Sequence, residues 1–210
     1  MGVRAEPSAP RRPAVARAGI AAIERLRRDA RAWCSGKSWI WRAPVLAYLG
    51  WAGVRHLRDP LYGSLFAGIT LGVHELGHLI LGPLGAWPGI AGGSLAQLAV
   101  PAAAVWILAR QRDYFGIAVG MAWLAFSLFG LATYIGDARA RELPLVALTP
   151  DPIHDWNWML GRLGLLSADH ALAFVCRAAA AVLWAAAMVL GGCLLWVMGT
   201  DRKGPSNLES

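Results

Sequence analysis

Residues 73–79 read Val-His-Glu-Leu-Gly-His-Leu and lie inside an apolar run that covers residues 61–84. If this run is helical, His74 and His78 are i and i+4 neighbours on one face, so both imidazoles can bind one metal ion. Glu75 then stands one position further round the helix, where its carboxylate can take a proton from a metal-activated water molecule. The spacing therefore predicts a zinc site with a catalytic carboxylate beside it.

The apolar setting of the motif strengthens this interpretation. A charged side chain at the centre of a lipid bilayer costs at least roughly 2.5–3.5 kcal/mol on insertion scales, so three ionisable groups within five residues need a partner, a cavity or a metal. The alternative is a polar cluster that packs helices together or relays protons and binds no metal.

The composition predicts an all-α, multi-pass membrane protein. Hydrophobic residues make up 57% of the chain and charged residues only 16%, against roughly 45–50% and 25% in ordinary soluble domains. The net charge of +7 is unevenly distributed, since twelve of the twenty Lys and Arg residues precede Pro60. That distribution is typical of a cytoplasmic flank and argues against nucleic-acid binding.

Four segments are long enough to span a lipid bilayer: residues 61–84, 89–109, 114–136 and 178–198. A further short hydrophobic segment, 38–54, has only twelve uncharged residues between Arg42 and Arg55, so it is interfacial, re-entrant or a short span. The distribution of positive charges favours four spans with both termini in the cytoplasm. We expect the membrane to be a bacterial inner membrane. Residues 1–37 then form a basic tail with a possible amphipathic helix, 38–198 the membrane-embedded domain and 199–210 a polar tail.

The polar residues of three spans converge on one face of this arrangement. The first and third spans run in the same direction, and the second runs in the opposite direction. The C-terminal end of the first span, which carries the motif, and that of the third span, which carries Asp137, therefore meet the N-terminal part of the second span, which carries Gln97. Two GxxxG patterns, residues 68–72 and 116–120, predict that the first and third spans also pack closely.

A catalytic zinc ion needs a third protein ligand besides His74 and His78. Asp137 is the first candidate because it ends the third span at a suitable depth, and the competing interpretation is a pairing with Arg139 or Arg141. His154 is the alternative ligand, from a loop that could fold over the site.

Three further residues are predicted near the site. Asp155 is a possible ligand, a substrate-binding residue, or the N-cap of the helix that follows it. Gln97 and Ser94 lie one helical turn apart and could bind a substrate backbone, support the zinc ligands or join two helices.

His-Glu-Leu-Gly-His within an apolar span, followed by a later span with an aspartate, resembles the site-2 protease family of intramembrane zinc metalloproteases. The resemblance implies zinc on His74 and His78, Glu75 as general base, and a membrane-bound protein substrate cleaved near the bilayer edge. The family's further ligand is an aspartate in a Leu-Asp-Gly context, and the corresponding residue here is Asp137, in Gly-Asp-Ala. The chain also resembles bacterial multi-pass membrane proteins that carry HELGH and HDW motifs.

These observations predict a zinc metallopeptidase that hydrolyses membrane-associated proteins or peptides. Two alternatives remain open from the sequence. The same zinc site could hydrolyse a lipid amide or ester, or the chain could be a non-catalytic membrane scaffold derived from a protease.

Overall fold

The computed structural model describes residues 24–25, 27–144 and 153–201, and all regular elements within them are helical. The predicted all-α class is thus confirmed for the described residues. Most of the predicted basic tail, residues 1–23, and most of the polar C-terminal tail, residues 202–210, lie outside them. Residues 24–25 and 27–34 are helical, as the possible amphipathic helix predicts, and the helices that follow them are α1 (Ala43–Arg58), α2 (Ala67–Leu81), α3 (Ala86–Arg110), α4 (Tyr114–Gly136), α5 (Asp155–Leu163) and α6 (Asp169–Asp201). Two short 3-10 helices, Gly82–Leu84 and Leu166–Ala168, connect them.

Several helix ends follow from local sequence. Asp113 caps α4, because its carboxylate accepts a hydrogen bond from the Gly116 backbone N–H at 3.1 Å. Pro44 stands in the first turn of α1, where its missing N–H costs nothing. Gly164 ends α5 in the left-handed conformation, with φ 68°. These signals set the helix boundaries on either side of the site.

Among the described residues, three helical segments are long and apolar enough to cross a membrane: α3, α4 and the run Leu166–Thr200, which contains most of α6. The first two match the predicted spans 89–109 and 114–136. The predicted span 178–198 starts too late, because α6 begins at Asp169 and already includes Arg177. The Arg177 guanidinium donates to the His56 carbonyl at 3.4 Å and to the Thr133 hydroxyl at 3.0 Å, which satisfies a charge within an apolar helix.

The predicted span 61–84 is wrong in its extent, because the motif helix α2 covers only Ala67–Leu81. The chain before it runs without helix from Asp59 to Phe66. Pro60 accepts a hydrogen bond from Thr133 near the end of α4, whereas Phe66 packs on Trp123 and Phe126 at the middle of α4. The chain therefore descends to the middle of the bundle, and α2 rises back towards the end from which it came.

The short segment at α1 crosses most of the height of the bundle. Leu46 lies beside Gly191, Gly50 beside Met188, and the Leu49 carbonyl accepts from the Trp184 indole at 3.0 Å. Later residues of α1 thus contact earlier residues of α6, so the two helices are antiparallel. The 16 residues of α1 extend over about 24 Å.

α2 packs mainly on α3, although the Trp123 indole of α4 also donates to the Thr70 hydroxyl of α2 at 3.0 Å. Gly77 and Gly92 face each other so closely that a side chain on either would collide with the other's backbone. The predicted GxxxG contact between the first and third spans is not formed. A Cβ atom added at Gly68 or Gly72 would meet nothing within 4 Å outside the backbone of α2, while Gly116 and Gly120 lie against α3. A cavity remains on the side of α2 that faces α4.

Candidate metal centre

His74, His78 and Asp155 form a compact cluster, called here the His-His-Asp cluster. The Nε2 atoms of His74 and His78 lie 3.1 and 3.3 Å from Oδ2 of Asp155. All three potential ligand atoms lie within 4.8 Å of one another. Two imidazole nitrogens and one carboxylate oxygen at this separation can coordinate a single metal ion.

Both imidazoles are oriented through their other nitrogen. Nδ1 of His74 lies 2.9 Å from Oε1 of Gln97, and Nδ1 of His78 lies 2.8 Å from the Gly89 carbonyl. The Gln97 amide group donates to the Ser127 carbonyl at 2.8 Å, which turns its oxygen towards His74. Since both partners are acceptors, Nδ1 carries the proton in the neutral rings, and each Nε2 keeps its lone pair for a metal.

Gly93 provides the space in which the two imidazoles meet. A Cβ atom at this position would collide with the Nε2 atoms of both His74 and His78. The absence of a side chain on this turn of α3 is therefore required for the cluster to form.

We expect Gly93→Ala to weaken metal binding at least as strongly as the loss of an outer-shell partner, about 10–100-fold, because the rings must move apart. Gly72→Ala on α2 is the matched control, since nothing lies within 4 Å of that position. Zinc titration of both purified variants measures the difference, and equal affinities would contradict the packing argument.

The carboxylate that meets the imidazoles belongs to Asp155, not to Asp137. Asp137 instead lies 3.2 Å from Nε2 of His154 and accepts hydrogen bonds from the backbone N–H groups of Glu142 and Leu143. The structure thus pairs the two preferred third-ligand candidates with each other. The predicted alternative pairing of Asp137 with Arg139 is not formed either, since Arg139 binds Asp169 at 2.7 Å.

α5 brings Asp155 to the cluster through contacts around its first turn. The Asp155 backbone N–H donates to the Tyr134 hydroxyl at 2.9 Å, and the Asn157 side chain donates to the Ala138 carbonyl at 2.8 Å. The Trp156 indole donates to the Ser94 hydroxyl at 3.1 Å. Ser94 therefore anchors α5 to α3.

The predicted N-cap of α5 is displaced by one residue. His154, not Asp155, is the N-cap, because its Nδ1 accepts from the Asn157 backbone N–H at 3.2 Å. This leaves the Asp155 carboxylate free to turn towards the histidines. Although burial raises the pKa of the Asp155 carboxyl, the His74 and His78 imidazoles, which donate to that carboxylate when they are protonated, outweigh burial and hold the pKa below its usual range.

Glu75 lines the same cavity as the His-His-Asp cluster. Within the described residues its carboxylate makes no hydrogen bond or ion pair, in contrast to Asp137 and Asp155. The HExxH motif thus holds two histidines that contact Asp155 and one carboxylate that remains available to a molecule in the cavity.

The cavity has a volume of about 1290 Å³ and lies between α2 and α4. It exceeds the roughly 300–1,000 Å³ typical of small-molecule sites. Its lining is mainly apolar, with the His-His-Asp cluster at one position and His56, Ser64 and Thr70 at others. Such a space suits a long apolar molecule that presents a polar bond to the cluster.

Sequence reasoning missed the roles of Tyr134, Gly93 and Asn157. A tyrosine three residues before Asp137 lies on the same helix face as that residue, which is a weak signal for Tyr134. For Gly93 and Asn157 the linear sequence carries no signal, because their roles arise only from the packing of α3 and α5 on other helices.

Comparison of the chain with protein-family models, curated proteins and solved structures finds no match. The functional interpretation therefore depends on the residues of the site and their geometry.

Proposed function

We propose that the protein is a membrane-embedded zinc metallopeptidase that hydrolyses peptide bonds of membrane-associated proteins. The observation that carries this proposal is the convergence of His74, His78 and Asp155 on one point, with Glu75 in the adjoining cavity. A structural cluster of buried ion pairs would not need the unpaired Glu75.

The donor set fits zinc. Two imidazoles and one carboxylate are a common ligand set of catalytic zinc sites, which keep a fourth position open. The backbone and side-chain acceptors behind both imidazoles are the outer-shell partners that such sites require. When bound, zinc would supply Lewis acidity, which polarises a carbonyl and makes a water molecule more acidic.

Glu75 has the role of proton carrier in this proposal. Its carboxylate takes a proton from the water molecule whose oxygen attacks the carbonyl carbon of the peptide bond. It then delivers that proton to the leaving nitrogen as the C–N bond breaks, which gives a free carboxylate and an amine. A tyrosine hydroxyl, from Tyr134, holds the backbone of Asp155 and so keeps the ligand set in place.

We propose a topology in which α1, α3, α4 and α6 cross the bilayer and α2 is re-entrant. Both termini then lie in the cytoplasm of a bacterial cell, and the His-His-Asp cluster lies near the opposite face. The charges support this orientation, since Arg110 and Arg112 join the basic N-terminal segment on one side. Non-helical backbone at the depth of residues 59–66 is tolerated because several of these residues line the cavity.

The proposal is tested by comparing cells that produce the wild-type protein with cells that produce Glu75→Gln. We expect new protein termini, from cleavage within or beside membrane segments, in the wild-type membrane proteome alone. Changes confined to lipid amides or esters would instead identify a lipid hydrolase. A phenotype rescued equally by both proteins, with no zinc bound, would identify a scaffold.

A further inference from the structure

Two positively charged side chains lie over the ring of Trp33, just before α1. The Lys37 Nζ atom is 4.9 Å and the Arg42 guanidinium carbon 5.6 Å from the centre of that ring. The Arg42 guanidinium carbon is also 5.8 Å from the centre of the Phe115 ring. Cations at these distances are attracted to aromatic rings, so the indole holds two like charges near each other. Trp33, Lys37 and Arg42 are called here the Trp33 cation site.

The helical segment of residues 27–34 fixes this site to the rest of the bundle. The Trp33 ring meets the Tyr114 ring edge-on, with 5.9 Å between the centroids. The next residue, Cys34, is buried in a cluster that also contains Tyr114 and Leu194. The indole is therefore held in place before any ligand arrives, as expected of a built binding site.

The site lies at the level where three of the proposed spans end. Arg42 directly precedes α1, Tyr114 is the first residue of α4, and Leu194 lies in the last two turns of α6. In the proposed topology this level is that of the lipid headgroups on the cytoplasmic side. Trp39 and Trp41 beside the site are 40% and 81% exposed, which is typical of tryptophans in the interface between membrane and water.

The two charges of the site lack a negative partner. Both side chains are partly exposed, and among the described residues no carboxylate pairs with either of them. The Arg42 guanidinium donates to a neutral acceptor, the Ser38 carbonyl, at 2.7 Å. Residues 27–42 contain five Lys or Arg residues and a single acidic residue, Asp29, whose carboxylate lies 3.6 Å from Arg112. A ligand from outside the described chain can reach the site and neutralise it.

A phosphate group has the chemistry that this site lacks. The planar guanidinium of an arginine matches two phosphate oxygens, and the ammonium group of a lysine contacts such oxygens as a point charge. Basic residues beside a membrane span attract anionic lipids at this level of the bilayer. In phosphatidylcholine the choline cation compensates the phosphate, so a lipid with net negative charge is favoured.

We infer that the Trp33 cation site binds the headgroup phosphate of an anionic phospholipid. The inference goes beyond the proposed peptidase function and does not depend on hydrolysis. Its consequence is that residues 27–42 are held on the cytoplasmic membrane surface by a bound lipid.

The first test observes Lys37 directly in the wild-type, full-length protein, freed of lipid and kept in dodecyl maltoside micelles. The chain contains only two lysines, Lys37 and Lys203, so reductive methylation with ¹³C-formaldehyde gives few NMR signals. Methylation keeps the positive charge of lysine. We expect dioleoylphosphatidylglycerol to shift the Lys37 signal, and dioleoylphosphatidylcholine to shift it much less at the same concentration. Loss of the signal in Lys37→Arg assigns it.

The second test measures binding of the same two lipids by native mass spectrometry. We expect Lys37→Gln and Arg42→Gln each to weaken phosphatidylglycerol binding about fivefold, the usual contribution of one basic residue near an anionic membrane surface. Phosphatidylcholine binding should stay unchanged in both variants. Arg42→Lys should retain more of the affinity than Arg42→Gln, because it keeps the charge.

Arg55→Gln is the matched control for these variants. Arg55 also lies over aromatic rings, those of Trp51 and Tyr62, but it stands at the opposite end of α1 and pairs with Asp59 at 3.7 Å. Its loss should therefore leave phosphatidylglycerol binding unchanged. The NMR measurement on wild-type protein gives a result even if a variant fails to fold.

The inference is overturned if phosphatidylglycerol does not shift the Lys37 signal, or if phosphatidylcholine shifts it equally. It is also overturned if Lys37→Gln and Arg42→Gln bind phosphatidylglycerol as tightly as wild-type protein, or if Arg55→Gln weakens binding as much as they do. An equal shift by glycerol 1-phosphate at the same concentration would assign the site to a soluble phosphate compound instead of a lipid.

Discussion

Asp155→Asn should lower zinc affinity by more than the about 10–100-fold that loss of an outer-shell partner typically causes. Asparagine keeps the shape of the side chain but removes the charge from the oxygen that lies within 3.3 Å of both imidazoles. Asp137→Asn should have the smaller effect, because Asp137 acts on His154 and not on the cluster. Elemental analysis and competition with a chelator measure both affinities.

Asp59→Asn serves as the control for these variants, since Asp59 pairs with Arg55 and accepts from the Leu61 backbone N–H, both in an exposed setting away from the cluster. The opposite ranking, with zinc lost from Asp137→Asn and retained by Asp155→Asn, would mean that metal binding rearranges the segment between α4 and α5. Asp137 would then be the third ligand, as the resemblance to site-2 proteases implies.

Glu75→Gln should leave zinc bound and slow peptide hydrolysis by about 10²–10⁴-fold, the usual contribution of a general base. Glutamine fills the same space but cannot accept the proton of the attacking water. The measurement is turnover of a protein identified by the cellular comparison, using purified protein with its zinc content determined in parallel.

Glu142→Gln is a stringent control, because Glu142 is another glutamate that lines the cavity. Only its backbone N–H contributes to the structure described above, so its activity should change little. Equal losses in the two variants would show that the negative charge of the cavity matters and not the position of Glu75. Loss of zinc from Glu75→Gln would contradict the role of Glu75 as a proton carrier that does not bind the metal.

The sequence predicts the proximity of the two motif histidines because it is a local property of a helix. His74 and His78 share a face whatever the rest of the chain does. The extents of α3 and α4 are predictable for a similar reason, since long apolar runs between charged residues mark both. Gln97 is also brought to the motif, as the convergence of three spans predicts.

The choice between Asp137 and Asp155 is not local. Both carboxylates follow α4, and their positions depend on hydrogen bonds to His154, Tyr134 and Ala138 that connect separate elements. The sequence also does not predict where α2 begins, because residues 61–66 are largely apolar and hydropathy does not distinguish a buried loop from a helix.

The non-helical segment of residues 59–66 has an electrical consequence. In the proposed topology its cavity opens towards the outer solution and reaches the middle of the bilayer at Phe126. If water enters it, the insulating layer beneath is about half the usual thickness, and the membrane voltage falls mainly across that inner layer. An elementary charge that crosses this inner layer then changes in energy by the full value of about 2.3 kcal/mol per 100 mV, over half the usual membrane thickness. The closely packed part of the bundle below the cavity, where Gly120 of α4 approaches Val105 of α3, then forms that inner layer.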